Sequence, residues 1–442
     1  MSASLRDRLG SDRNRELGNL ALLALLAAAG FTSVLVARSG EVSRLSLIYA
    51  GAFIALFVAA HAVMRIRVPN ADSAVLPIVG VLAMTGLVEI QRIDPDLARD
   101  QALWLALGVL GFAVVLMGLR DYRTLEQYRY LLGATAIGLL LVTVLYSYAF
   151  DVVINGARLW IRAGGVQVQP GEFAKLALIL FLASFLRERR ELLAATRPGP
   201  LGIGLPPARH FAPLLAMSGG ALLVLVAMND FGTSLLFFGV FVAMVYVATG
   251  RAAYAAAGVV VFAAGSLVAN SIAPQVGQRL DIWLDPWADP QGGGYQIVQS
   301  LYSIAEGGVF GAGIGRGYVV TGEGVPVIPA VQTDFIYSAI AAELGLAGAA
   351  GVLLLYLLLT WRGLKIAAAA GDGFSKLLAT GITFTLAFQA FLIVGGVVRL
   401  VPLTGITLPF VSYGGSSMLA NWIALALLLA ISDRSARVAG HP

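Results

Sequence analysis

Carboxylates and cations at the ends of apolar stretches are the residues of this chain best placed to do chemistry. Asp334 follows Gln332 and Thr333 and stands immediately ahead of the apolar run FIYSAIAAELGLAG. An Asp there can cap a helix, where the dipole favours its charge, or face an outward cavity as a general base. The roles compete, because a cap lowers the pKa that a base needs raised. By position alone the cap is the simpler reading. Glu343 lies nine residues further on, which on one continuous helix is the opposite face and roughly 13 Å deeper. It reads as a structural residue bonded to a neighbouring helix, not as the second member of a carboxylate pair.

Glu172 and Lys175 are three residues apart, so on a helix they share a face and can pair. Just upstream, Arg158, Trp160, Arg162 and Gln169 make a cationic, amphipathic segment. Such cations either anchor a loop among lipid headgroups or clamp a pyrophosphate in bidentate fashion, and residue types alone leave both open. The run GGVFGAGIGRG at 307–317 lacks the Lys-Ser or Lys-Thr ending and flanking strand of a nucleotide loop. It reads as a system of tight outward turns. PFVSYGGSS, from Pro409 to Ser417, reads as re-entrant backbone, which must line a cavity or protein. Ser412 within it has no histidine or lysine placed to activate it as a nucleophile.

The elements that must carry these residues are membrane spans. The chain has 442 residues, 58% hydrophobic and 12% charged, about half the charge of a soluble domain. This places it among all-α polytopic membrane proteins. The net charge of +5 is explained by arginines in short loops, so nucleic acid is not expected as a partner, whereas membrane lipids are. The chain has no cysteine, which excludes disulfides and thiol nucleophiles. His61, His210 and His441 are scattered and have no metal-ligand spacing.

About twelve spans begin near Leu17, Ser46, Val75, Ala102, Leu131, Phe173, Phe211, Gly232, Ala253, Phe335, Leu377 and Gly415. Every second loop is basic, which puts both termini in the cytoplasm. Two outward loops are long, from Asp151 to about Glu172 and from about Ala273 to Asp334. The longer one carries Trp283, Trp287 and Tyr295, suited to the membrane interface. No strand pattern stands out.

Six blocks, in order, resemble one family. They are GARLWI at Gly156–Ile161, QPGEFAKLA at Gln169–Ala177, NDFGTSLL at Asn229–Leu236, LDPWADPQGGGYQIVQS at Leu284–Ser300, TDFIYSAIAAELGLAG at Thr333–Gly348 and LPFVSYGGSS at Leu408–Ser417. The chain resembles the SEDS family (shape, elongation, division and sporulation), typified by RodA and FtsW. The resemblance implies a ten-helix core at 68–442, ahead of which residues 1–67 add two spans. It implies a peptidoglycan glycosyltransferase that polymerises lipid II at the outer face of a bacterial inner membrane, with a class B penicillin-binding protein as partner. A lipid-linked sugar flippase and a non-catalytic scaffold are the alternatives.

The family's catalytic Asp falls on Asp334, which reverses the reading from position. Substrate contacts are expected from Arg158, Arg162, Gln169, Glu172, Lys175, Gln296, Thr333 and Ser412. Asp230, Glu343, Gly414 and Gly415 are expected to be structural. A divalent cation, Mg or Mn, is the one cofactor expected. The chain departs from the family where Ala330 and Gln332 stand at its usual Glu and His positions. The partner's transmembrane helix is expected to pack on small residues such as Gly395 and Gly396.

Overall fold

The computed structural model describes residues 3–39, 44–154, 156–164, 166–194, 208–272, 274–321 and 325–439. Its α-helices are α1 (Ala3–Ser39), α2 (Arg44–Arg67), α3 (Val75–Ile93), α4 (Pro95–Gly118), α5 (Arg129–Ala149), α6 (Pro170–Ala194), α7 (Ala208–Ala227), α8 (Phe231–Thr249), α9 (Ala252–Ile272), α10 (Pro274–Leu284), α11 (Tyr295–Gly307), α12 (Ile336–Ala369), α13 (Gly373–Val397) and α14 (Gly415–Ala439). Among the described residues twelve helices have 19 residues or more. They fall where hydropathy placed the twelve spans. The short ones, α10 and α11, lie in the long segment between α9 and α12. α4 starts seven residues before its expected Ala102, because Asp94 caps it through the Asp96 and Leu97 N–H groups and Pro95 opens it. Its polar first turn is invisible to a hydropathy window. Nine of the described helices are long and apolar enough to cross a membrane.

One feature escaped the sequence. The segment between α5 and α6 contains an antiparallel hairpin, β1 (Ile161–Ala163) with β2 (Val166–Val168), pairing Arg162 opposite Gln167. Strands of three residues are too short for alternation to reveal.

The chain forms two compact units, one of Met1–Arg120, Asp281–Ile366 and Gln389–Pro442, the other of Asp121–Leu280 and Ala367–Phe388. In the first, α14 packs along α4. Trp422 is fully buried there, ringed by Phe57, Phe112 and Phe410. Gly108 makes room for it, since a Cβ there would lie 2.6 Å from the indole. The N-terminal hairpin α1–α2 packs on α3, with Leu23 seated over Gly80. The hairpin is fastened by Arg13, which donates to the carbonyls of Val68, Pro69 and Ala71 and pairs with Glu16; Glu16 also bonds His61 Nδ1 at 2.8 Å. In the second unit α5 lies along α6, which packs on α8.

Candidate functional site

Asp334 lies two residues ahead of α12, in a turn whose backbone is held from several directions. Ala330, at φ 57°, accepts from the N–H groups of Thr333 and Asp334 and from the Thr333 hydroxyl at 2.9 Å. A positive φ is uncommon for a residue with a Cβ, and here it turns the chain so that Asp334 is half-buried instead of inside the helix. Gln296, expected to touch substrate, donates its amide to the Pro329 carbonyl at 3.0 Å and so ties α11 to the start of this turn. The Gln332 Oε1 is buried with no hydrogen-bond partner among the described residues.

The second wall of the turn is the segment leading into α14. Gly405, at φ 70°, lies beside the Asp334 carboxylate, and a Cβ there would make ordinary contact with Oδ2 at 3.9 Å. Ser412 is 3% exposed. Its hydroxyl donates to the Thr333 carbonyl and accepts from the Leu408 N–H. The structure therefore turns Ser412, expected at the substrate, towards backbone. The Tyr413 N–H donates to the Gln332 carbonyl at 2.9 Å. Phe410 adopts φ 68° and is held there by burial beside Trp422. Two buried glutamines anchor this segment. Gln101 of α4 bonds Ser412 and Gly414, and Gln389 of α13 donates to the Thr407 carbonyl at 2.7 Å. Gly415 leaves space for Trp104, which a Cβ would meet at 2.1 Å. Burial and the nearby carboxylates Asp100 and Asp94 push the Tyr413 hydroxyl above its usual range.

Below Asp334 the helix is not continuous. α12 breaks at Gly345, with φ 65° and ψ −168°, and the glycine-rich run fills the break. Ala312 and Gly313 donate to the carbonyls of Ala342 and Glu343, while Leu346 and Ala347 donate to those of Gly308 and Val309. The run is a system of tight turns, with Gly308, Gly311, Gly313 and Gly315 at positive φ, and it packs into the break in α12. The reason is backbone accounting: a break in an apolar environment frees N–H and C=O groups that another stretch of protein must satisfy. Glu343 is buried, accepts from the Gly315 N–H at 2.7 Å and lies 3.4 Å from Arg92 of α3. Gly395 and Gly396 are also otherwise engaged. A Cβ would meet Val401 at 3.1 Å on the first and Leu403 at 3.4 Å on the second, so the chain's own 401–403 segment covers the face expected to receive a partner helix.

The second unit holds the remaining expected residues. Glu172 and Lys175 pair at 2.6 Å on the first turns of α6, with Lys175 buried. The Gln169 carbonyl accepts from the Glu172 N–H at 3.3 Å. Arg158 donates to the Ser147 carbonyl at 2.8 Å, lies over the Tyr148 ring and pairs with Asp151 at 3.4 Å. The Arg162 carbonyl accepts from the Tyr146 hydroxyl. Asp230 caps α8 through the Thr233 N–H at 2.9 Å, and burial pushes its carboxyl above the usual range. Among the described residues no group of three or more His, Asp or Glu could hold a metal ion.

Sequence reasoning missed Gln101, Gln389 and Arg92. A signal existed for the glutamines, because an amide inside an apolar span must find a partner.

The family model described as cell cycle protein, of FtsW, RodA and SpoVE, matches residues 73–437. The chain is 43% identical over 443 residues to the peptidoglycan glycosyltransferase RodA of Mycobacterium tuberculosis, covering 97% of this chain and 92% of that one. It is 36% identical to stage V sporulation protein E of Bacillus subtilis over 76% of this chain and 87% of that one. Among solved structures it resembles a chain of a peptidoglycan synthase complex described as coordinating polymerization and crosslinking, with TM-score 0.66, 28% identity and coverage of 83% and 98%. It also resembles the rod shape determining protein RodA of Thermus thermophilus, with TM-score 0.58, 27% identity and coverage of 82% and 96%.

Proposed function

The chain belongs to the FtsW, RodA and SpoVE family, and we propose that it is a peptidoglycan glycosyltransferase that polymerises lipid II at the outer face of the inner membrane. The observation that carries this reading is the 43% identity, over nearly the whole chain, to relatives named for that activity. The half-buried Asp334 in its restrained turn supplies a carboxylate for the chemistry.

In the reaction Asp334 takes the proton of the acceptor sugar's 4-hydroxyl. The oxygen forms a bond to the donor's anomeric carbon as the bond to the pyrophosphate breaks, and the configuration inverts through an oxocarbenium-like state. Undecaprenyl pyrophosphate leaves as an anion, so it needs charge neutralisation and no proton. One carboxylate therefore suffices. The resemblance assigns the neutralisation to Arg158 and Lys175, with Glu172 holding Lys175 in place. A divalent cation would bind chiefly through pyrophosphate oxygens with one or two side chains, as magnesium commonly does. The alternation of basic loops supports cytoplasmic termini. The solved relative from a polymerising and crosslinking complex supports a class B penicillin-binding protein as partner.

The test is polymerisation of labelled lipid II by the purified protein with its cognate penicillin-binding protein. Asp334→Asn should lower the rate by about 10²–10⁴-fold while the protein stays folded and bound to its partner. No polymer from the wild-type complex, with divalent cation present, would favour a flippase or scaffold. Equal polymer from both would keep the enzyme and remove Asp334 as its base.

A further inference from the structure

Gln101 lies in the second turn of α4 and is 2% exposed. A primary amide buried in an apolar span carries donors and acceptors that must be satisfied. Gln101 directs both ends at one short stretch of backbone. Nε2 donates to the Ser412 carbonyl and Oε1 accepts from the Gly414 N–H, each at 3.1 Å. The amide thus brackets Tyr413 as a neighbouring strand would.

The residues it grips are the ones that hold the Asp334 turn. The Tyr413 N–H donates to the Gln332 carbonyl, and the Ser412 hydroxyl donates to the next carbonyl, that of Thr333. The two peptide carbonyls immediately ahead of Asp334 therefore hang from Ser412 and Tyr413, whose flanking groups are fixed by Gln101. Two further contacts limit how the segment can move. Gly415 sits against Trp104, one helical turn along α4 from Gln101, and a Cβ on Gly86 of α3 would lie 2.1 Å from the Val411 carbonyl oxygen. The segment is thus clamped between α3, α4 and the turn it supports.

We propose that Gln101 is a positioning residue of the glycosyl transfer, setting the height and direction of the Asp334 carboxylate through residues 408–414. The proposal rests on Asp334 being the base. A base acts only from within hydrogen-bond reach of the proton it removes, and its aim depends on the peptide planes that precede it. Gln101 touches no reacting atom and works only through the segment it holds.

The experiment is steady-state polymerisation of labelled lipid II by the complex with the penicillin-binding protein, for wild type, Gln101→Ala, Gln101→Glu and Asp334→Asn. Loss of the amide should lower kcat by about 10- to 100-fold, the scale of a small misplacement of a catalytic group, with KM changed less than about threefold because ground-state binding is left intact. Gln101→Glu supplies a readout that a merely structural role would not move. Protonated, the carboxyl can donate to the Ser412 carbonyl and accept from the Gly414 N–H as the amide does; ionised, it has no donor and sets a charge against a carbonyl. Asp94 and Asp100 lie on the same side, near Tyr413. They favour the protonated form, and Arg99 is paired away with Asp96. The ratio of Gln101→Glu to wild-type activity should therefore rise as pH falls from 8 to 5.5.

A Gln101→Ala complex that elutes intact and keeps wild-type kcat overturns the proposal, as does a rise in KM alone. If Gln101→Ala does not fold, the pH ratio of Gln101→Glu decides, and a flat ratio overturns the proposal. A wild-type complex that makes no polymer, or an Asp334→Asn complex as active as wild type, overturns the underlying reading instead and is recognised by those two samples alone.

Discussion

Replacing Gly345 with alanine tests whether the 307–317 segment and α12 form one hydrogen-bonded body. Helix propensity alone anticipates a gain, since alanine is better than glycine inside a helix by about 1 kcal/mol. The structure reverses the sign. Gly345 has φ 65° and ψ −168°, a region nearly exclusive to glycine, and holding another residue there costs about 1–3 kcal/mol. An added Cβ would also stand 2.3 Å from the Gly311 nitrogen and 2.6 Å from the Val309 carbonyl. These are backbone atoms, so relief requires the segment to withdraw from the break and give up hydrogen bonds to Ala342, Glu343, Leu346 and Ala347. Losing two of them at about 1 kcal/mol each, beside the backbone cost, gives about 3–5 kcal/mol of destabilisation. Gly351 on the same helix has nothing within 4 Å of an added Cβ. Gly351→Ala is therefore the control, neutral or slightly stabilising. The assay is denaturant or thermal unfolding of the detergent-solubilised protein, with lipid II polymerisation as a second readout. If Gly345→Ala unfolds at or above the wild-type midpoint, the hydrogen-bonded union of the 307–317 segment with α12 is refuted.

Replacing Lys175 with methionine should destabilise by about 3–5 kcal/mol, because the Glu172 carboxylate loses the ammonium it pairs with. The double change Glu172→Gln with Lys175→Met should recover most of that stability in the same unfolding assay while leaving polymerisation impaired; recovered activity would show the pair to be structural only. Arg13→Ala should loosen the N-terminal hairpin from the 68–71 loop and leave buried Glu16 with His61 but without its cation. Faster proteolysis between α2 and α3 is expected, with Arg13→Ala/Glu16→Ala less affected than Arg13→Ala alone, and equal cleavage in all three would contradict the fastening. Chelation of divalent cations should slow polymerisation, and restoring magnesium or manganese should reverse it; an unchanged rate in excess chelator would remove the cation from the reaction.

The helical content, the number and placement of the long helices and the six family blocks were legible in the sequence, because hydropathy, loop charge and motif order are local properties that survive without tertiary contacts. Asp334 stood out as a carboxylate before an apolar run, but position alone favoured a helix cap, and only the family blocks pointed to a catalytic role. What tertiary structure decided is how that carboxylate is held. TDFIYSAIAAELGLAG reads as one helix, yet it breaks at Gly345 because the segment 307–317 supplies the missing backbone partners. Ser412 reads as a substrate contact until its hydroxyl is seen between Thr333 and Leu408. Gly395 and Gly396 read as a docking face until residues 401–403 cover them. Gln101 announces that it needs partners, but its amide could meet any backbone in the bundle. Pairings between segments far apart in the chain leave no period and no composition to read, since a backbone donor or acceptor is the same at every residue. Only the fold says which of them meet.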